Sequence, residues 1–477
     1  MLHTDMKPWK KEFNTEDTVA LCNYLCKDVD ATFRIRRVLE PQLNTRQRWL
    51  LDNILIPLAK ELFEVECRGV YVSKPAVDNL NNMLAGMIAK ASAELHADKF
   101  VRLYEIAENT EFDHASPHQL RVLFEKYLKL PQIKKTDGGL YSTDKEVLTH
   151  YKDEPVCGKI LKIRRLSTLK GTYGEQIDRE IRNGKVHTSY KVHGTVTGRP
   201  ASETPNLMNM PREDTALIVM AEAGGDGKEI KRCFIPAPGC CMIEADYSQA
   251  ELRVLAAISG DVNLIDIYRK GIDVHTATAA AVYGIPLANV TGAQRSLAKP
   301  VNFGIVYGMQ LDGLIKKFEA AGSTAAVAEH FLKTHKQKFP SVWEYMDEQE
   351  ALIRKQKFQE TYFGRRRRYA EIDPAAIRQA YNFPIQSLAS DLTLIALIRI
   401  AQACRKLRLD ARVVLTVYDS IVVESEISIM WQVAALVKHI MSTIHFEWML
   451  VPMEVDLKAG LNWGDLKKID VDKQIIL

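Results

Sequence analysis

No one sign of charge dominates this sequence. Across 477 residues, 64 Lys and Arg stand against 60 Asp and Glu, a net charge of +4. That balance excludes a polybasic tail but leaves room for a local basic groove. Cysteine is scarce, eight in all, and no Cys or His pairs stand at zinc-site spacing. Cys22 and Cys26 lie four apart and Cys240 and Cys241 are adjacent, which reads as reduced thiols. The opening MLHTDMKPWKKEFNTED holds no apolar core of a secretory signal. No apolar run approaches the roughly 18–20 residues that span a bilayer. No repeat or low-complexity tract is present. A soluble, cytoplasmic chain with no membrane partner is the expectation. Apolar residues at 47% and charged residues at 26% are ordinary globular usage, and the length suits two to four structural units.

What is present begins with helices. Residues 15–40 read as one, capped by Asn14 or Thr15, 46–68 as a second, and 76–100 as a third that opens at Ser73-Lys-Pro. Residues 131–142 are a turn region around Asp-Gly-Gly. Between 159 and 199 stand ten Lys or Arg against three acids, an excess that suggests a track for a polyanion. From 240 the texture turns to α/β. CMIEAD reads as a buried strand ending on an acid, and LTVYDSIVVES as strand–turn–strand with an acid at its tip. Residues 273–400, between them, read as almost entirely helical.

Asp246 and Asp419 therefore end two apolar runs. On neighbouring strands they would form a carboxylate pair, costly unless a divalent cation neutralises it, and Mg2+ suits such oxygen ligands. In RSLAKPVNFGIVY (295–307), Arg295, Lys299, Phe303 and Tyr307 recur every four residues. That spacing places them on one helical stripe, cationic at one end and aromatic at the other. Cations suit phosphates and flat rings suit bases.

Several segments then carry a family resemblance. CMIEADYSQAELRVLA (241–256) resembles motif A of the family A DNA polymerases. Residues 295–308 resemble motif B, and VYDSIVVE (417–424) resembles motif C. HGTVTGRPASETPNLMNMP (193–211), DVHTATAAAVYG (273–284), GRRRRY (364–369) and RQAYNFPIQSLASD (378–391) are similar to further elements in the same order. The resemblance implies an α+β right hand that extends a primer 3′-OH with dNTPs on primer–template DNA, in replication or repair. It implies two Mg2+ ions, with Mn2+ as a substitute, on Asp246, Asp419 and the Tyr247 carbonyl. Lys299, Arg295 and His275 match cations that bind the triphosphate, with Lys299 also the proton donor to pyrophosphate. Gln249 joins the nucleotide site, Phe303 stacks on the incoming nucleotide, Glu251 blocks a ribose 2′-OH, and Tyr307 lies beside the templating base. Arg199, Asn206, Arg378, Asn382, Gln386 and Lys170 match DNA contacts.

The same resemblance implies a division into an exonuclease remnant (1–40), thumb and connection (41–180), palm (181–262 and 386–477) and fingers (263–385). Tyr24 and Asp28, in NYLCKDVDAT, match the last motif of a 3′–5′ exonuclease domain whose upstream part is not in this sequence. Proofreading is therefore not expected, and either a separate chain carries the rest or the sequence is truncated, as in a phage-infected bacterial cell. Two residues depart from the family pattern. Motif C reads Tyr418-Asp419-Ser420 where His-Asp-Glu is usual, and Pro300 sits inside motif B, where a kink or loosening is expected. An RNA polymerase of similar shape and a non-catalytic nucleic-acid-binding relic are the rival readings. Glu251 opposes the first, and the paired acids with motif B oppose the second.

Overall fold

The computed structural model describes residues 18–211, 217 and 220–476. At its centre is a six-stranded antiparallel sheet. Its strands are β1 (Cys240–Tyr247), β2 (Ala411–Val417), β3 (Ser420–Glu426), β4 (Val455–Gly460), β5 (Lys467–Asp470) and β6 (Ile475–Ile476), in the spatial order β6-β5-β4-β1-β3-β2. Apolar residues dominate β1 and β-branched ones the β2–β3 hairpin, which suits strands buried in a sheet. Ile243, Ala245, Leu415, Ile421, Val422 and Val423 are fully buried. Truncating Ile243, Leu415 or Ile421 to Ala costs about 2–5 kcal/mol.

Helices cover the sheet. The first described helix, α1 (Thr18–Leu39), buries none of its residues. Residues 45–68 form one run, with a wide turn at Leu51–Leu55, ending in α2 (Ile56–Arg68). Next comes α3 (Lys74–His96), capped by Ser73 with Pro75 in its first turn, as the sequence predicts. It packs on α4 (Pro155–Leu169). Then follow α5 (Ala250–Ser259), α6 (Val274–Tyr283), α7 (Gly292–Val306), α8 (Pro374–Lys406) and α9 (Met430–Thr443). The α8 helix is the central pillar. It starts at the Asp373 cap, which accepts the Ala376 N–H at 2.6 Å, and packs on α2, α5, α9, β2 and β3.

Residue 386, where the second part of the palm is expected to begin, lies within the continuous buried helix α8. Within 41–180, α2 packs on α8 and β2, and α3 packs on α4. Residues 273–400 are mostly helical, interrupted by a hairpin that pairs Phe358–Glu360 with Arg366–Arg368. Finally, α8 is long and apolar enough to cross a membrane, but 83% of its apolar window is buried inside the protein, so it reads as core. The expected cap of α1 at Asn14 or Thr15 lies outside the described residues.

Candidate active site

The sheet register brings the two acids together. Asp246 on β1 stands directly across from Ser420 on β3 and from Asp456 on β4. Asp419 is the next residue out, at the tip of the β2–β3 hairpin, and its carbonyl accepts the Tyr247 N–H at 3.3 Å. Tyr418 makes the tight turn with φ +54°, an uncommon conformation for a large side chain. Its hydroxyl donates to Asn209 Oδ1 at 2.9 Å. Ser420, where the family pattern has Glu, donates its hydroxyl to the Val417 carbonyl at 3.0 Å. Its oxygen therefore closes the hairpin and is turned to the backbone.

Both carboxyls are raised above the usual range, chiefly by desolvation. Asp246 opens to solvent, yet protein atoms crowd around it and push it up to about 7, with Asp419 and Glu244 adding repulsion. Asp419 is pushed up to about 6 by burial. Glu251 adds to that rise, and the nearby Arg199 guanidinium, 3.6 Å away, opposes it. Asp419 Oδ1 is buried with no hydrogen-bond donor.

Glu251 begins α5, just beyond Asp246, and is buried. It accepts from Arg199 Nη2 at 2.7 Å and from the Tyr307 hydroxyl at 2.8 Å. Burial pushes the Tyr307 hydroxyl up to about 12, and Gln386 lies within reach of it. Arg199 also stacks over the Tyr418 ring, 5.4 Å from its centre. Arg199 thus lies in the acidic pocket, tied to Glu251.

The α7 stripe forms the facing wall. A Thr291–Gln294 capping box fixes its start, and the helix runs uninterrupted through Pro300. Its end is closed by Gly308, with φ +66°, where a Cβ would meet Arg378 at 2.8 Å. Lys299 is exposed. Arg295 is not free: Nε and Nη2 grip Asp273 at 2.9 and 2.8 Å. That grip, with the Thr276 N–H and hydroxyl, holds the Asp273 carboxyl well below the usual range despite its burial. Asp273 also accepts from Gln249 Nε2 at 3.2 Å, while Tyr268 donates to Gln249 Oε1 at 2.9 Å. Sequence reasoning missed Asp273, although Asp-x-x-Thr at a helix start was a visible cap signal. His275 is buried and depressed to about 4 by desolvation. The Thr278 hydroxyl lies between the Val274 carbonyl at 2.8 Å and Asn302 Oδ1 at 3.1 Å, and the Asn302 amide nitrogen is 3.0 Å from His275 Nδ1. His275 lies beside the Phe303 ring, its centre 5.4 Å away.

The expected DNA contacts scatter more widely. Arg378 is exposed on α8, and Asn382 is buried with an unpartnered Nδ2. Asn206 accepts from Ser202 and the Asn209 N–H, each at 3.1 Å, so it serves a turn. Lys170 pairs with Glu175. Much of the 159–199 basic excess is likewise paired, Lys159 with Asp98, Lys162 with Glu222 and Lys191 with Glu203. The free polyanion track is thus narrower than composition implied. Tyr24 and Asp28 stand on α1, away from these acids in sequence and on a helix without buried residues.

The donor set fits a hard divalent cation. Two raised carboxyls and the unpartnered buried Asp419 Oδ1 call for positive charge. Among the described residues no group of three or more His, Cys, Asp or Glu surrounds a metal position.

Comparison with known proteins places the chain in a family. A sequence model described as DNA polymerase family A matches residues 81–465. A DNA polymerase I of Caldicellulosiruptor bescii is 34% identical over 469 residues, covering 93% of this chain and 52% of that protein. A DNA polymerase I of Pseudomonas aeruginosa is 34% identical over 459 residues, covering 93% and 47%. The chain spans about half the length of these relatives. A solved structure, the POL domain of Pol1 from M. smegmatis in complex with DNA primer-template and dNTP, superposes with a TM-score of 0.78 at 26% identity. It covers 92% of this chain and 74% of that one.

Proposed function

Because the chain belongs to DNA polymerase family A, we propose that it extends a DNA primer on a template with deoxynucleoside triphosphates. The observation that carries this reading is the register that sets Asp246 beside the Asp419 hairpin tip. Asp246, Asp419 and the Tyr247 carbonyl would hold two Mg2+ ions, or Mn2+ in their place. Bound there, the ions supply acidity to the primer hydroxyl and neutralise charge on the triphosphate.

The remaining work falls to side chains. Lys299 draws in the triphosphate and donates a proton to the leaving pyrophosphate. Arg295 offers the N–H groups that Asp273 leaves free. Phe303 offers its exposed ring to the incoming nucleotide. Glu251, held by Arg199 and Tyr307, fills the space a ribose 2′-OH would need, which favours deoxynucleotides. Arg378, Asn382 and Gln386 line α8 beside Tyr307 and Gly308, and serve the primer–template.

Tyr24 and Asp28 offer a single carboxylate, and we expect no 3′–5′ degradation from them. Val29, Phe33 and Val38 of α1 are exposed, which supports a covering body such as a separate chain bearing the rest of that domain. A bacterial cytoplasm, phage-infected or not, is the setting this reading suits. Primer extension tests the proposal. Wild type should extend with dNTPs and Mg2+, and Asp246→Ala should not. Extension only with ribonucleotides, or none by the wild type, would remove it.

A further inference from the structure

Arg199 reaches the acidic pocket from a loop, and loops rarely aim a side chain without support. The support lies directly behind it. Gly198 has φ +83°, and a Cβ there would fall 2.2 Å from Cζ and Nε of Arg365. The loop backbone therefore rests on the guanidinium of Arg365, at the turn of the 358–368 hairpin. A guanidinium usually swings aside at little cost, but this one is pinned. Its Nη2 donates to Asp391 Oδ1 at 2.5 Å, and Asp391 is 0% exposed inside α8. The hairpin turn is also braced on its other side. Gly364, with φ +92°, lies so close to the Arg46 backbone that a Cβ would sit 2.6 Å away. Burying this ion pair brings little net stability by itself, and Arg365 Nε and Asp391 Oδ2 have no hydrogen-bond partner. A costly pair kept beneath a glycine next to an active-site arginine points to placement.

We propose that Arg365, pinned by Asp391, is a positioning residue that sets Arg199 against Glu251 and Asp419, and so fixes the pocket that selects the nucleotide sugar. The chain of contact is Asp391, Arg365, the Gly198 backbone, Arg199, then Glu251. This inference rests on the polymerase reading given above. Arg365→Lys keeps the charge and loses the flat platform. Gly198→Ala keeps Arg365 and lifts the loop.

The test is the ratio of dNTP to rNTP incorporation efficiency, which a merely structural role would leave unchanged. Both variants should lower that ratio about tenfold, the scale of losing one steric contact in a pocket. Adding either to Arg199→Ala should lower it no further, since both act through Arg199. An unchanged ratio in folded Gly198→Ala and Arg365→Lys, or a further loss on top of Arg199→Ala, overturns the inference. If the wild type extends no primer, the polymerase reading fails separately. Urea unfolding then judges the contact: Gly198→Ala should destabilise the wild type more than it destabilises Arg365→Ala, where only the strain of an alanine at φ +83° remains. Equal destabilisation in both backgrounds overturns it.

Discussion

The sheet end with Asp246 and Asp419 and the helix with Arg295 and Lys299 handle charge in one cleft in opposite ways. On the sheet side two carboxyls crowd together, and Arg199 reaches only one of them. On the helix side Arg295 is balanced by Asp273, Lys299 faces solvent, and His275 is kept neutral by burial. The sheet side is electrostatically incomplete and waits for a cation. The helix side is largely neutralised in advance, so on the proposed function an arriving triphosphate would meet the exposed Lys299 ammonium and the shared Arg295 guanidinium. The difference follows from backbone type. Strand register forces neighbours together regardless of sign, whereas helix termini and caps supply partners such as Asp273.

The strongest way to break this comparison is to remove the sheet's charge. Asp246→Ala should reduce primer extension about a thousandfold, the scale of losing a main electrostatic clamp, in single-turnover assays. A loss below tenfold would mean the sheet side is not where the reaction happens. Next comes the unpaired cation of the helix. Lys299→Ala should lower kcat about a hundredfold with a smaller change in dNTP KM, because its proton matters most as pyrophosphate leaves. A change in KM alone would make Lys299 a binding group only. Smaller still is the effect of the built-in partner. Asp273→Asn keeps the α6 cap but frees Arg295, and should lower dNTP KM about threefold, in line with the ~0.2–1 kcal/mol of a part-exposed pair. A raised KM would show that Asp273 aims Arg295 and does not compete for it.

The subtlest contrast is in the response to pH, measured by urea unfolding in EDTA. Asp246 and Asp419 lie above the usual Asp value when folded, at about 7 and 6. As pH falls from 7 toward 4 the folded chain takes up these protons before the unfolded chain does, so this pair adds stability on acidification. His275 lies below its usual value at about 4, and His335 is depressed to about 3 by burial. Below about 6.5 the unfolded chain protonates them first, so they remove stability in the same window. Asp246→Asn should therefore lose stability more steeply than wild type between pH 7 and 4.5, and His335→Gln less steeply. Parallel slopes would contradict the contrast.

Legibility in the sequence divides along the same line. Asp246 and Asp419 were readable because apolar runs that stop on an acid mark strand ends, and antiparallel pairing did the rest. The α7 stripe was readable from its four-residue spacing. The partners were not, since Asp273 with Arg295, Asp391 with Arg365 and Glu251 with Arg199 are joined only by the fold. Composition overstated the basic track for that reason: it counts Lys159 and Lys162 as free, while folding pairs them with Asp98 and Glu222. The burial that neutralises His275 was equally invisible, because nothing in DVHTATAAAVYG says how deeply its helix is packed.

On the proposed function, Asp246 and Asp419 together form a seat for divalent cations. Mn2+ binding, followed by electron paramagnetic resonance with wild type, Asp246→Asn and Asp419→Asn, tests it most directly. Each substitution should weaken binding at least tenfold and the double variant should bind no Mn2+ above background. Unchanged Mn2+ affinity in the double variant would contradict the account.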